Sequence, residues 1–149
     1  MKRELIIQSI ACLFIILFVY TGLSKLIDYE SFKVALHKSP VFRTTADQVA
    51  WFIPSVELVI AIMLAIPRWR LKGLFASLIL MLGFTGYIIY ILGFSSEIPC
   101  TCGGVIQEMS WRQHLAFNSF FVLLALIGIM LERRMKRPER TERQNLSMT

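Results

Sequence analysis

Residues 5–27 read LIIQSIACLFIILFVYTGLSKLI, and they carry no charged side chain before Lys25. A helix of about 20 apolar residues crosses the roughly 30 Å hydrocarbon core of a bilayer, so this stretch is long enough to span it. Segments 48–66, 71–94 and 114–131 have the same character. Because lipid cannot satisfy open backbone groups, each segment is predicted to be helical. The expected fold class is therefore all-α, an integral membrane four-helix bundle formed by residues 1–131.

The composition supports a membrane protein and argues against nucleic-acid binding. Of the 149 residues, 56% are hydrophobic, which exceeds the ~45–50% typical of soluble domains. The net charge of +6 comes mainly from Lys and Arg residues that flank the apolar segments or lie in the tail, residues 132–149. No zinc-finger spacing or glycine-rich phosphate loop accompanies them. The expected surroundings are a lipid bilayer, with no nucleic-acid partner, and the charged tail is predicted to fray after a helical start.

The placement of positive charges predicts the orientation in the membrane. Most of the 16 Lys and Arg residues lie before the first segment, in the turn 67–72 or in the tail, and such residues concentrate on the cytoplasmic side. Both termini are thus expected in the cytoplasm and the loop 98–111 outside. The start resembles a signal peptide, but its apolar run is too long and has no cleavage site, so an uncleaved span is expected. The outer loop 28–47 is long enough for a short helix near residues 29–37.

Two cysteines in the loop 98–111 are the strongest candidates for chemistry. Cys100 and Cys102 are one residue apart and precede Gly103 and Gly104, whereas Cys12 lies in the first apolar segment and is expected to be buried. A thiol pair on the oxidising side of a membrane can cycle between dithiol and disulfide. A disulfide in so small a ring is strained and easily reduced. The alternatives are a structural disulfide or part of a metal site; no metal is expected, because two sulfurs alone do not complete a zinc site.

Polar residues within the apolar segments form a second group of candidates. Glu57 lies about nine residues, or roughly 13 Å, from the outer end of its helix, where a carboxyl group is costly and suggests a proton-carrying role. Lys25 could pair with Glu57, stabilise a thiolate or a reduced quinone, or reach the lipid headgroups. His114 could accept a proton from a thiol, and Asn118 lies one turn further along the same face. The structural alternatives are a neutral Glu57 bonded to another helix, an ordinary interfacial histidine and a helix–helix hydrogen bond from Asn118.

These candidates share the half of the bundle that is predicted to face outward. They are Lys25, Glu57, Thr85, Tyr87, His114 and Asn118. If their faces converge, they form a pocket beneath the cysteine loop. In such a pocket Glu57, Tyr87 and Asn118 are the predicted contacts for a cofactor, whereas Phe14 and Phe18 are expected to pack either in the core or against lipid.

Several motifs resemble a known group of membrane proteins. YTGLSKL at residues 20–26 resembles the end of the first helix in the DoxX-like superfamily, and PSVEL at residues 54–58 resembles the start of its second. IPCTCGG at residues 98–104 and WRQHLAFN at residues 111–118 resemble the methylamine-utilisation protein E (MauE) branch. The resemblance covers residues 5–131 and implies a four-helix protein of the bacterial inner membrane; together with the distribution of Lys and Arg, this puts the expected cysteine loop on the periplasmic side. It does not imply methylamine as a substrate.

The resemblance also implies a redox function. The MauE branch is associated with disulfide formation in, or maturation of, an exported enzyme, and other DoxX-like members with quinone-coupled sulfur oxidation. Vitamin K epoxide reductase is an analogous four-helix thiol–quinone enzyme, but it uses two cysteine pairs where this loop holds one. The residues expected to be catalytic are Cys100, Cys102, His114, Glu57 and Lys25.

The expected function is that of a membrane thiol–disulfide oxidoreductase. Its Cys-x-Cys pair would exchange electrons between a membrane quinone and a periplasmic partner, either thioredoxin-like or a client protein. One alternative is a non-enzymatic assembly or maturation factor with a structural disulfide. Another is a carrier of small solutes or metal ions.

Overall fold

The computed structural model describes residues 2–94 and 111–146, together with the side chains of residues 2–94 and 112–135. In this part of the chain the helices are α1 (Lys2–Ile27), α2 (Tyr29–Lys38), α3 (Ala46–Ala65), α4 (Arg70–Phe94) and α5 (Trp111–Leu146). These residues form no strand, and the short helix expected near residues 29–37 is confirmed as α2. Cys100 and Cys102 lie outside the described residues, so their pairing stays a prediction.

Four of the helices are long and apolar enough to cross a membrane. Within the described ranges these candidate spans are Lys2–Ile27, Ala46–Ala65, Arg70–Phe94 and Arg112–Met135. Large apolar side chains such as Ile16, Ile62 and Leu123 are exposed on their outer faces. An apolar surface of this extent would be unfavourable in water but suits contact with lipid. The chain is therefore a multi-pass membrane protein.

Aromatic and aliphatic side chains form the core between the spans. Phe14 and Phe18 of α1 are fully buried, which decides for the core between the two placements expected of them, and the ring of Phe14 meets Phe121 edge to face at a centroid distance of 5.2 Å. Cys12, in contrast, is exposed, so its expected burial is wrong. The buried positions of α1 recur at the helical period, which turns Cys12 toward the opposite, outer face.

Glycines allow the spans to approach closely where the site requires it. A Cβ added at Gly22 of α1 would lie 3.4 Å from Leu58 and from the carbonyl oxygen of Pro54, both in α3. A Cβ added at Gly73 of α4 would lie 3.0 Å from Leu64 of α3. Glycine therefore sets the spacing of α3 from both neighbours, and α1 and α3 lie close enough for their side chains to pair.

One end of the bundle, which we call the site end, is where α1 and α4 end and α3 and α5 begin. Helix α2 lies at this end, with Phe32 and Leu36 packed against Ala46 and Ala50 of α3. Residues 95–110, which include the predicted thiol pair, connect α4 to α5. The segment that carries the cysteines is therefore attached to the site end through both of its flanking helices.

The tail differs from its prediction, because α5 continues to Leu146 instead of fraying soon after the fourth span. Arg and Glu, which are frequent in this segment, both have high helix propensity. A helix that is already nucleated within a membrane span also needs no new nucleus to continue. The predicted helical start of the tail is therefore present, and the fraying expected after it is wrong for the residues up to Leu146.

Candidate functional site

A buried ion pair joins α1 to α3 at the site end. Lys25 Nζ lies 2.9 Å from Glu57 Oε1 and 3.1 Å from Glu57 Oε2. Glu57 is only 1% exposed, and Lys25 Nζ also donates to the backbone carbonyl oxygen of Thr21 at 3.4 Å. Among the roles predicted for Lys25, pairing with Glu57 is therefore the one that the geometry shows.

Two aromatic rings complete the surroundings of the Lys25 ammonium group. The ring of Phe32 in α2 lies 5.8 Å from Nζ and that of Phe84 in α4 lies 5.9 Å from it. Each distance permits a cation–π attraction, worth ~0.5–2 kcal/mol depending on desolvation. Lys25 thus contacts three other helices, and its charge is held at a fixed place within the bundle.

The ion pair forms part of the wall of a cavity of about 340 Å³, a volume within the ~300–1,000 Å³ range of small-molecule sites. The predicted site residues in this wall are Lys25, Glu57, Tyr87, His114 and Asn118. The rest of the wall is mainly aliphatic and aromatic. These faces therefore converge on one cavity, which the sequence alone did not show, but Thr85 is not in the wall, and its hydroxyl donates to the Met81 carbonyl oxygen of its own helix at 2.7 Å.

Asn118 lies in this wall, and its side chain carries a buried hydrogen-bond donor without a partner among the described residues. The residue is 2% exposed, and its side-chain nitrogen has no hydrogen-bond partner in the described part of the chain. The predicted helix–helix hydrogen bond is therefore not made by this nitrogen. Leaving a buried polar group unpaired costs ~1–3 kcal/mol, so a ligand with an acceptor such as a carbonyl oxygen would gain by bonding to it.

His114 lies one turn before Asn118 and shares its face of α5. It is half-buried in the cavity wall and close enough to Lys25 for the charge of the lysine to act on it. The wall thus combines an imidazole, a carboxylate, an ammonium group and an amide within an apolar enclosure. Such a set can bind a polar headgroup and move protons, although the catalytic and cofactor roles of these residues stay predictions.

Tyr87 connects the wall to the end of α2. Its hydroxyl donates to Ser39 Oγ at 3.0 Å, and its ring lies 5.3 Å from that of Phe42. Ser39 is fully buried and also accepts a hydrogen bond from the backbone nitrogen of Val41 at 3.3 Å. Tyr87 therefore helps to hold the cover of the cavity in place, besides the cofactor contact predicted for it.

Sequence reasoning missed the contribution of α2 and the turn after it. Phe32, Ala35 and Leu36 of α2 line the cavity, as does Phe42 beyond it. Their only signal in the sequence is helical spacing of apolar residues in a short polar helix, which shows that one face is buried but not what it covers. Among the described residues, no three His, Cys, Asp or Glu side chains come together as a metal-ligand group.

Comparison with known proteins agrees with this architecture. The family model described as methylamine utilisation protein MauE matches residues 3–131, which include the described residues of the cavity wall. No curated protein and no solved structure matches the chain. The match covers most of the chain and confirms the resemblance to MauE that the motifs indicated. We conclude that the chain belongs to the MauE family of membrane proteins, described as methylamine utilisation proteins.

Proposed function

We propose that this protein is a membrane thiol–disulfide oxidoreductase that exchanges electrons between a redox partner protein and a membrane quinone through Cys100 and Cys102. The observation that carries the proposal is the cavity at the site end. It contains an ion pair, a histidine and an unpaired amide donor. The cysteine segment is attached to the same end of the bundle.

The residues in the wall fit a quinone headgroup, which is a flat ring with carbonyl oxygens. The Asn118 nitrogen would donate to one carbonyl oxygen and so gain the partner that it lacks. The apolar wall, including Phe84 and Ile88, would surround the ring. Lys25 would stabilise negative charge on the reduced headgroup, because its ammonium group is held inside the bundle.

The thiol pair carries the two electrons and two protons of the proposed reaction. Oxidation of the Cys100–Cys102 dithiol to a disulfide releases two electrons and two protons, which a quinone takes up to become a quinol. Thiol–disulfide exchange with a dithiol of the partner protein then regenerates the Cys100–Cys102 dithiol and leaves the partner as a disulfide; electron flow in the opposite direction reverses both steps. His114 would accept the proton of a cysteine thiol as a general base. Glu57 would exchange a proton within the cavity, while Lys25 balances its charge.

The partner and the location belong to the same proposal. A thioredoxin-like or client protein would meet the thiol pair on the periplasmic side of a bacterial inner membrane, with both chain termini in the cytoplasm. The distribution of Lys and Arg residues supports this orientation. The wider relationship to the DoxX-like superfamily rests on the motifs at residues 20–26 and 54–58.

The test is the redox state of the thiol pair in membranes, measured by mass-tag alkylation with added quinone or quinol. In a Cys12→Ser background, Cys100 and Cys102 are the only thiols that can react with the mass tag. This substitution should not disturb the site, because Cys12 is exposed and does not line the cavity. We expect the pair to change its state with the quinone pool, and either single cysteine variant to abolish the exchange. Unchanged exchange in both single variants would overturn the proposal.

A pair locked as a disulfide under both conditions would instead support a non-enzymatic assembly or maturation factor. One observation favours this second function: the Lys25–Glu57 ion pair joins α1 to α3 and can therefore stabilise the fold without taking part in catalysis. Under this alternative, the disulfide should resist mild reductant, and a client protein should be recovered with the membrane protein.

A further inference from the structure

The cavity reaches the outer surface of the bundle beside α4. Of the described residues that line it, Ile79 and Gly83 are exposed, whereas the others are buried or half-buried. Ile79 is 70% exposed, and the two residues are one helical turn apart. The opening of the cavity therefore lies along this side of α4.

The depth of the opening indicates what it faces. Helix α4 is a candidate span that runs from Arg70 to Phe94. At ~1.5 Å per residue, Ile79 and Gly83 lie roughly 14 and 20 Å along it from Arg70. In a hydrocarbon core of roughly 30 Å, these positions meet acyl chains and not the headgroups or water. A molecule that uses this opening must therefore be dissolved in the bilayer.

The polar and apolar parts of the cavity are separated along this path. The unpaired Asn118 nitrogen and the Lys25–Glu57 pair lie in its buried wall, whereas the exposed rim consists of an isoleucine and a glycine. We propose that the site takes a lipid-soluble carbonyl compound sideways from the bilayer, with its headgroup toward Asn118 and its apolar chain running out past Ile79 and Gly83. This inference rests on the proposed quinone function and names the quinones that the site selects, which are those with an apolar chain.

Gly83 is the residue that determines this selection. A Cβ added at Gly83 would have no atom within 4 Å, so a larger side chain can enter the opening without displacing the core. The same open space surrounds Gly86 of the same helix, but Gly86 does not line the cavity. Gly83→Leu and Gly86→Leu therefore form a matched pair, in which only the first change narrows the opening.

The test is the equilibrium binding of quinones to the purified full-length protein in detergent micelles. Two quinone pairs are used, a decyl-substituted benzoquinone with its chainless parent and a prenylated naphthoquinone with its chainless parent. For each quinone, the Kd of the variant is divided by that of the wild type, which cancels the partition of the quinone into micelles. We expect Gly83→Leu to weaken binding of the chain-bearing quinones about tenfold more than that of the chainless ones, a difference of about 1.4 kcal/mol. Gly86→Leu should leave all ratios near unity.

Ile79→Trp narrows the same opening from the neighbouring turn and serves as a second variant if Gly83→Leu does not fold. Like Gly83→Leu, Ile79→Trp should raise the Kd of the chain-bearing quinones more than that of the chainless ones. Equal effects of the opening variants on chain-bearing and chainless quinones would overturn the lateral path. If the wild type binds neither kind of quinone, the proposed function itself fails.

Discussion

The side chain of Asn118 has the clearest unused hydrogen-bonding capacity among the described residues of the cavity wall. A buried amide usually has hydrogen-bond partners, because an unpaired one loses the hydration that it has in the unfolded state. Here the nitrogen is buried and unpaired among the described residues, and it lies in the wall of a cavity. A ligand that accepts a hydrogen bond from this nitrogen would remove the free-energy cost of leaving it unpaired.

We expect Asn118→Leu to separate binding from stability. Replacing an unpaired buried amide with an apolar side chain should leave the ligand-free protein as stable as before or slightly more stable. Quinone affinity should fall by up to about tenfold, because a net hydrogen bond contributes ~0.5–1.5 kcal/mol. Thermal unfolding with and without quinone measures both effects.

Ser119→Ala is the matched control, because the Ser119 hydroxyl is exposed and donates to the Leu115 carbonyl oxygen of its own helix. It should change neither affinity nor the added stability on binding. A loss of stability in ligand-free Asn118→Leu with unchanged affinity would contradict the role assigned to Asn118.

At the scale of helices, the Lys25–Glu57 pair fixes α1 against α3 while also forming part of the cavity. Both side chains are largely removed from solvent, with exposures of 12% and 1%. Removing one member leaves the other as an uncompensated buried charge, which costs ~3–5 kcal/mol. A single substitution therefore lowers stability whether the pair is structural or catalytic.

The double variant separates the two roles. We expect Lys25→Met and Glu57→Gln each to lower the free energy of unfolding by ~3–5 kcal/mol, and the double variant to recover much of this loss. Thiol–quinone exchange should remain low in all three, because the groups that handle charge and protons are gone. If exchange recovers together with stability in the double variant, the pair is only structural.

Lys33→Met provides the control for this series. Lys33 of α2 pairs with Asp47 of α3, Nζ to Oδ1, at 2.8 Å on the surface. The hydrogen bond and charge of Asp47 raise the pKa of Lys33, so Lys33 keeps its charge at neutral pH and loses it as the pH rises through that raised pKa. Loss of an exposed pair should have little effect on stability.

Helix α2 covers the cavity because its end is tied to α4. A part-buried hydrogen bond from Tyr87 of α4 to Ser39, the residue that follows α2, makes this connection. We expect Tyr87→Phe to lower stability by about 1 kcal/mol and to accelerate amide hydrogen exchange in residues 29–38. Tyr90→Phe is the control, since Tyr90 is exposed and stacks on Phe94 of the same helix. Equal exchange rates in both variants would contradict an anchoring role of Tyr87.

At the scale of the whole molecule, the even number of candidate spans decides the relation between the chain ends. If all four helices cross the bilayer, the residues before α1 and after the fourth span lie on the same side. The turn between α3 and α4 then lies on that side too, and the connection from α4 to α5 lies on the other.

Cysteine accessibility in intact cells tests the proposed orientation. With Cys12 and Cys102 changed to Ser, Cys100 should react with a membrane-impermeant maleimide without permeabilisation. With all three native cysteines changed to Ser, a Lys72→Cys variant in the turn region should react only after permeabilisation. The reverse pattern would place the thiol pair in the cytoplasm and contradict a periplasmic partner.

The sequence by itself determined the four spans and the polar residues that lie within them, because hydropathy and the cost of charge in lipid are local properties. It did not decide whether Phe14 and Phe18 face the core or the lipid. Only the tertiary structure decided that Lys25 meets Glu57, that Thr85 points elsewhere and that α2 covers the cavity. It also decided that Cys12 faces outward and that the opening lies at Gly83. The physical reason is that lipid and protein core are both apolar, so a membrane helix carries little amphipathic contrast to fix its rotation. That rotation is set by close packing with neighbouring helices, such as the approach at Gly22.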